Sequence, residues 1–150
     1  MPSWVCPDAS FLLKMLLDAA LRARCLGLWR EWKEGGNPIA APGLLYYEVT
    51  NALHRYVVAG ELKPQEASRA LTLLLYLDVA LYADKELHRR ALDLAERLQL
   101  PAAYDAHYLA LREYLDADFF TADGRLVRNL RGRVQKVHLV QPLDREGRGI

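Results

Sequence analysis

The sequence predicts an α/β fold in which helices cover both faces of a mostly parallel sheet. Short apolar runs suited to buried strands alternate with amphipathic helical patterns along the whole chain. No internal repeat, linker or change of composition interrupts them. The 150 residues therefore read as a single domain over 1–141, followed by a loose tail over 142–150 rich in Gly, Arg and Pro. A hydrophobic fraction of 52% against 26% charged residues suits a packed domain and argues against disorder.

The elements follow in order. Trp4-Val5-Cys6 is a buried strand, and Ser10 is placed to cap a first helix from Phe11 to Leu17. From Asp18 to Glu34, Leu21, Cys25, Leu28, Trp29 and Trp32 recur at helical spacing, and Gly35-Gly36-Asn37-Pro38 stops the run. Ile39-Ala40-Ala41 is a second strand. Leu44 to Ala59 is a helix with Leu45, Val49, Leu53 and Tyr56 on one side. Pro64 suits a first helical position, and that helix runs through Leu71, Leu74 and Leu75. Val79 to Tyr82 is a third strand, and Asp84 caps the helix carrying Leu87, Ala91, Leu94 and Leu98. Leu100-Pro101 precedes a helix from about Ala102 to Leu115. Phe119 to Ala122 is a strand ending at Asp123-Gly124, a short basic helix follows, and Val134 to Val140 is the last strand. Pro7 fits poorly, because it cannot donate to a ladder. It is tolerable only where pairing has ended.

Several function classes drop out. Cys6 and Cys25 are too few for a disulfide framework or a zinc site, and Cys6 reads as a buried inert thiol. The start lacks the basic and long apolar regions of a signal peptide, and Asp78 ends the apolar run Leu71–Leu77 too early for a membrane span. A soluble, cytoplasmic protein is expected. The net charge of +1 says nothing as a total, so its distribution matters more.

Four acids stand at or near predicted strand ends and helix starts: Asp8, Glu48, Asp105 and Asp123. Each has an ordinary use. Asp8 and Asp123 would serve as caps or turn residues, and Glu48 and Asp105 as charges favoured by a helix N-terminus. As a set they mean more, because ligands bind at the carboxyl edge of such sheets. Carboxylates crowded there raise each other's pKa, and a divalent cation removes that penalty. An all-oxygen donor set suits Mg²⁺ or Mn²⁺, with no His/Cys cluster competing. Such a site accepts phosphate oxygens, which points to phosphoester chemistry.

Asp8-Ala9-Ser10, the helix Glu48-Val49-Thr50-Asn51-Ala52-Leu53, Asp105 in its helix and Thr121-Ala122-Asp123 resemble, in this order, the motifs of PIN-domain nucleases. The likeness is closest to the small VapC-type ribonuclease toxins of toxin–antitoxin modules, and it covers nearly the whole chain. The resemblance implies a PIN-like α/β/α sandwich and an endoribonuclease dependent on Mg²⁺ or Mn²⁺. It also implies an antitoxin partner and, in many members, a homodimer. By the same resemblance Asp8, Asp105 and Asp123 are metal ligands, Glu48 completes the catalytic acidic site, and Ser10, Asn51 and Thr121 support it. Pro7 departs from the aliphatic residue usual before the first Asp.

The segment Gly124–His138 carries Arg125, Arg128, Arg131, Arg133 and Lys136 without an acid. It reads equally as a solvated face or as a steering surface for RNA, with Arg125 and Arg128 nearest the acids. His107 reads as a surface or core residue rather than a catalytic base. Tyr46, Tyr47 and Tyr104 flank the acids and either stack a base or pack in the core. The rival readings are a receiver-like switch, which wants an acidic pair where Asp8 stands alone, a non-catalytic metal- or RNA-binding PIN scaffold, and a PIN nuclease of RNA processing or one that cuts DNA, without an antitoxin.

Overall fold

A computed structural model describes residues 2–143 and 146–148, so the loose tail expected over 142–150 lies partly outside the described residues. Five short strands among the described residues form two parallel sheets. In the first, β1 (Val5–Pro7), β4 (Asp118–Thr121) and β5 (Val137–Leu139) pair in the order β1-β4-β5. In the second, β2 (Ala40–Pro42) pairs with β3 (Ala80–Tyr82). A single parallel bridge, Val5 to Ile39, joins them into a central arrangement β3-β2-β1-β4-β5.

Two prolines account for the seam. Val5 N–H donates to Pro38 O on the β2 side, whereas Asp8 N–H donates to Phe120 O on the β4 side. Donors alternate along a strand, so the donor Pro7 lacks would have faced β2. Gly43 N–H donates to Tyr82 O on β3, so by the same parity the donor Pro42 lacks would have faced β1. Both omissions fall on the β1/β2 seam. Pairing of β1 with β4 does not end before Pro7, as the sequence reading required. Pro7 pairs with Phe120 and is buried, and only the seam goes without its bonds.

Seven helices among the described residues surround the strands: α1 (Ala9–Leu17), α2 (Arg22–Glu34), α3 (Leu44–Val58), α4 (Pro64–Leu75), α5 (Lys85–Arg97), α6 (Tyr104–Leu115) and α7 (Gly124–Leu130). This is the layered α/β arrangement with a central parallel sheet that the sequence predicts. Helix α1 packs on α2, α3 and β4, while α6 packs on α5 and on strands β1, β2 and β4. Phe11, Leu12, Leu45, Val49, Leu111 and Phe119 are wholly buried at the centre. Trp32 packs its ring, tilted, against Phe11 and Phe120 at 5.2 and 4.8 Å between centroids.

Two helix starts differ from the sequence reading. Asp8, not Ser10, caps α1: its backbone is extended and its carboxylate accepts Phe11 N–H at 3.0 Å. A carboxylate at that end also gains from the helix dipole, which a hydroxyl does not. Asp18 does not open the second helix. It closes α1, and its Oδ1 accepts the N–H groups of Ala20 and Leu21 at 2.9 Å, turning the chain before α2 begins at Arg22. Cys6 and Cys25 are free, buried thiols, and burial pushes both well above the usual thiol range. In α4 only Leu74 of the apolar run is wholly buried, while Leu73, Leu75 and Tyr76 are exposed. Among the described residues, no helix is long and apolar enough to cross a membrane.

Candidate acidic site at the carboxyl edge of the sheet

The four acids arrive at one edge by two routes. Asp8 and Asp123 directly follow β1 and, two residues on, β4, which are hydrogen-bonded neighbours. Helix α3 leaves β2 at the same edge and carries Glu48 in its second turn. Helix α6 leads back into β4, so its first turn, with Asp105, lies at the edge where β4 ends.

The β1/β4 side is a closed hydrogen-bond network. Ser10 Oγ donates to Asp8 Oδ1 at 2.6 Å, and Thr121 Oγ1 donates to Asp8 Oδ2 at 2.5 Å. The same hydroxyl oxygens accept in turn: Ser10 Oγ from Ala122 N–H at 2.9 Å, Thr121 Oγ1 from Asp123 N–H at 3.0 Å. Both hydroxyl protons are committed to Asp8, so the 3.2 Å approach of the two oxygens is a contact without a proton to share. With Phe11 N–H added, Asp8 uses three of the roughly four acceptor positions of a carboxylate. Asp123 is exposed, and its Oδ1 caps α7 by accepting from Arg125 and Leu126 N–H.

The α3/α6 side is looser. Glu48 and Asp105 are half-buried. Tyr108 OH donates to Glu48 Oε1 at 2.7 Å, and Asp105 accepts no hydrogen bond among the described residues. Tyr108 was not singled out from the sequence, although it stands three residues after Asp105 and so shares its helix face. Asn51 lies three residues after Glu48 on α3, exposed.

Among the described residues none of the four acids is in an ion pair, whereas Asp18, Asp78, Glu86 and Asp116 each hold a Lys or Arg. Burial drives the Asp8 carboxyl up from 3.8 to about 6 despite its three donors, and the charge of Asp105 pushes the same way. Glu48 is raised by burial and by Asp105, against the opposing Tyr108 hydrogen bond. Asp105 is raised by burial and by Asp123. Asp105 is thus electrostatically coupled to each of the other three. The side chains do not form a closed cage: among the described residues no three His, Cys, Asp or Glu groups converge as ready ligands for an ion.

Arg125 and Arg128 are exposed on α7. A Cβ built on Gly124 would meet Arg128 Nη1 at 3.2 Å, so this guanidinium folds back over Gly124 at the start of α7. Of the flanking tyrosines, Tyr46 is tied to α4 by its bond to Leu74 O and does not reach the acids. Tyr47 and Tyr104 instead line a cavity of about 440 Å³ with His88 and His107. His107 Nδ1 donates to Ala103 O at 2.7 Å, which occupies one side of the ring within its own helix. His88 was likewise missed, and its sequence neighbourhood carries no signal for it.

Comparison with known proteins gives one family: the PIN domain model matches residues 5–130. The fold is similar to that of PAE2754 from Pyrobaculum aerophilum, with 24% identity, TM-score 0.67, and 93% of this chain and 84% of that one covered. It is similar to the structure of VapBC2 from Rickettsia felis bound to a DNA fragment from their promoter, with 11% identity, TM-score 0.66, and 91% and 96% covered. It also resembles VapC20 of Mycobacterium tuberculosis, a Sarcin–Ricin loop cleaving toxin, with 17% identity, TM-score 0.60, and 89% and 98% covered. No curated protein sequence matches the chain.

Proposed function

The chain belongs to the PIN-domain family, and from that premise we propose that it is a divalent-metal-dependent endoribonuclease acting as the toxin of a toxin–antitoxin pair. The observation that carries this reading is the uncompensated charge at the sheet edge. Four carboxylates stand at that edge, burial and neighbouring acids raise the pKa values of Asp8, Glu48 and Asp105, and among the described residues no Lys or Arg is in an ion pair with any of the four. A hard cation relieves that penalty. The donor set fits Mg²⁺ or Mn²⁺, which retain waters and need only one or two carboxylates rather than a closed cage.

Asp8, Asp105 and Asp123 would hold the ion, with Glu48 completing the site. When bound, the ion polarises phosphate oxygens and acidifies water for hydrolysis. The chain's own residues do the rest. Ser10 and Thr121 fix both oxygens of Asp8. Tyr108 holds Glu48 at the rim. Asn51, one turn beyond Glu48, is placed to bind phosphate or water. Arg125 and Arg128 draw the RNA backbone toward the acids. The antitoxin partner is supported by the similarity to VapBC2 and to a toxin–antitoxin complex from Klebsiella pneumoniae. The exposed Leu73 and Leu75 of α4, with Tyr76 just past its end, offer apolar area for a homodimer or for that partner.

The test is cleavage of a mixed structured RNA by purified protein with Mg²⁺, Mn²⁺ or EDTA, beside folded Asp8→Asn and Asp105→Asn variants. Metal-dependent cutting lost in both variants is the expected result. Absence of cutting under either metal, or equal cutting by the variants, would sink the mechanism in favour of a binding scaffold.

A further inference from the structure

Next to the acids, α3 and α6 each present two adjacent stripes. Glu48 on α3 and Asp105 and Tyr108 on α6 belong to the acidic site. Leu44 and Tyr47 on α3, and Tyr104 and His107 on α6, line the cavity of about 440 Å³ beside it. Tyr47 and Tyr104 immediately precede Glu48 and Asp105 in the chain, so the two surfaces share the N-terminal ends of the same helices. The wall is apolar and aromatic with few polar groups, which is the character of a small-molecule site of this volume. It contains no Lys or Arg and includes Asp84, so it suits a flat uncharged group and not a phosphate.

The polar groups present are arranged. In the neutral pair, His107 donates Nδ1–H to Ala103 O, which leaves Nε2 to accept from His88 Nδ1–H at 3.0 Å. The rings stand edge to face, 5.0 Å between centroids. His88 Nε2 has no hydrogen bond among the described residues and remains available to a ligand. Tyr82 is held by edge contacts with Trp4 and Tyr114, whereas Tyr47 and Tyr104 have no aromatic partner among the described residues. They are 78% and 63% exposed.

We propose that this cavity is a nucleobase subsite, in which a base next to the scissile phosphate stacks on Tyr47 and Tyr104 and has its edge read by His88. Its place beside a scissile phosphate rests on the nuclease reading. The base binding does not. Stacking tolerates every base, and truncation of one stacking ring weakens binding by about tenfold.

The test uses the full chain carrying Asp8→Asn in EDTA, titrated with UMP, AMP or ribose 5-phosphate while the His88 and His107 imidazole resonances are followed by NMR. Both nucleotides should move these resonances and the base-free sugar phosphate should not. Tyr104→Ala should weaken nucleotide binding about tenfold, and Tyr104→Phe should restore it. In the otherwise wild-type chain, Tyr47→Ala and Tyr104→Ala should raise KM for single-stranded RNA more than they lower kcat. Equal response to ribose 5-phosphate, or unmoved imidazoles together with unchanged RNA cleavage by both variants, overturns the subsite and leaves the nuclease standing. Nucleotide binding by a chain that cuts no RNA keeps the subsite and removes the nuclease. A change of Tyr104→Ala from dimer to monomer with nucleotide binding intact would reassign the cavity to a contact between copies, and overturns the proposal.

Discussion

The two sides of the acidic site are built on opposite principles. On the β1/β4 side, Asp8 is 5% exposed and receives three donors, and the two hydroxyls that serve it are themselves served by Ala122 and Asp123. On the α3/α6 side, Glu48 has one donor and Asp105 none among the described residues. The closed side fixes geometry and carries the desolvation cost. The open side leaves carboxylate lone pairs free for an ion or a substrate. A preorganised half and an unsatisfied half together make a site. Either alone makes only a structural feature.

The sharpest way to break this contrast is Asp8→Asn. If Asp8 holds the ion as proposed, its loss removes several kcal/mol of charge stabilisation, so RNA cleavage should fall by about three decades. The same variant removes the buried charge but turns one of the two accepting oxygens into a donor facing a hydroxyl, so its stability in chelator should depend less on pH than that of wild type. Cleavage rates and denaturant midpoints, measured on the same samples, separate the two effects. Undiminished cleavage by a folded Asp8→Asn variant would mean that Asp8 is a structural cap and nothing more.

The pH dependence follows from the same charge. Asp8 ionises at about 6 in the fold instead of 3.8, so between these values the native state holds a proton that the unfolded chain has released. Stability is therefore highest below about pH 4 for this group and falls as pH rises toward 6. At about 1.4 kcal/mol per pH unit the Asp8 contribution amounts to about 3 kcal/mol. Glu48 and Asp105, also raised, act in the same direction. Denaturation in EDTA from pH 4 to 7 should show wild type losing stability relative to Asp8→Asn. Saturating Mg²⁺ should recover much of the loss at pH 7. A difference between the two proteins that grows in favour of wild type with rising pH would reverse the sign and refute the assignment.

Hydroxyl deletions compare the two sides directly. Thr121→Val keeps the shape but leaves Asp8 Oδ2 and Asp123 N–H without their partner, at a fully buried position. The expected cost is about 1–3 kcal/mol. Tyr108→Phe removes the donor to Glu48, a half-buried carboxylate that water can reach, and should cost no more than about 1 kcal/mol. Urea unfolding of the two variants in chelator decides between them. Equal costs would erase the distinction between a closed and an open side.

These contrasts mark what the chain discloses in its sequence. The alternation of strands and helices is legible because apolar period and Gly/Pro punctuation are local signals, and the four acids are legible because strand ends and helix starts carry them. The sequence offers both Ser10 and Asp8 as the cap of α1, because a hydroxyl and a carboxylate two residues apart are both good caps. Burial at the end of β1, which depends on β4 more than a hundred residues away, decides for Asp8. Tyr108 and His88 were invisible for a similar reason. Their partners, Glu48 and His107, are set by packing between helices and not by spacing within one. Pro7 looked like a fault in a central strand because a single sequence cannot show which side of β1 needs its donors.

The smallest effects belong to the arginines beside the open edge. Arg128 folds its guanidinium over Gly124 at the start of α7, while Arg125 is exposed one residue past Gly124 and has no side-chain partner among the described residues. If both neutralise backbone phosphates, each change to Ala should lower the slope of log K against log salt for single-stranded RNA by about 0.7, measured in an Asp8→Asn background. The weakening should be uniform across RNA sequences, since a phosphate contact carries no base information. Arg128 should have the larger effect on kcat/KM in the active protein, because its position couples it to the phosphate at the acids. Arg125 should act mainly on capture. An unchanged salt slope in both variants would return α7 to a solvated basic face, and RNA would have to approach over the α3/α6 side alone.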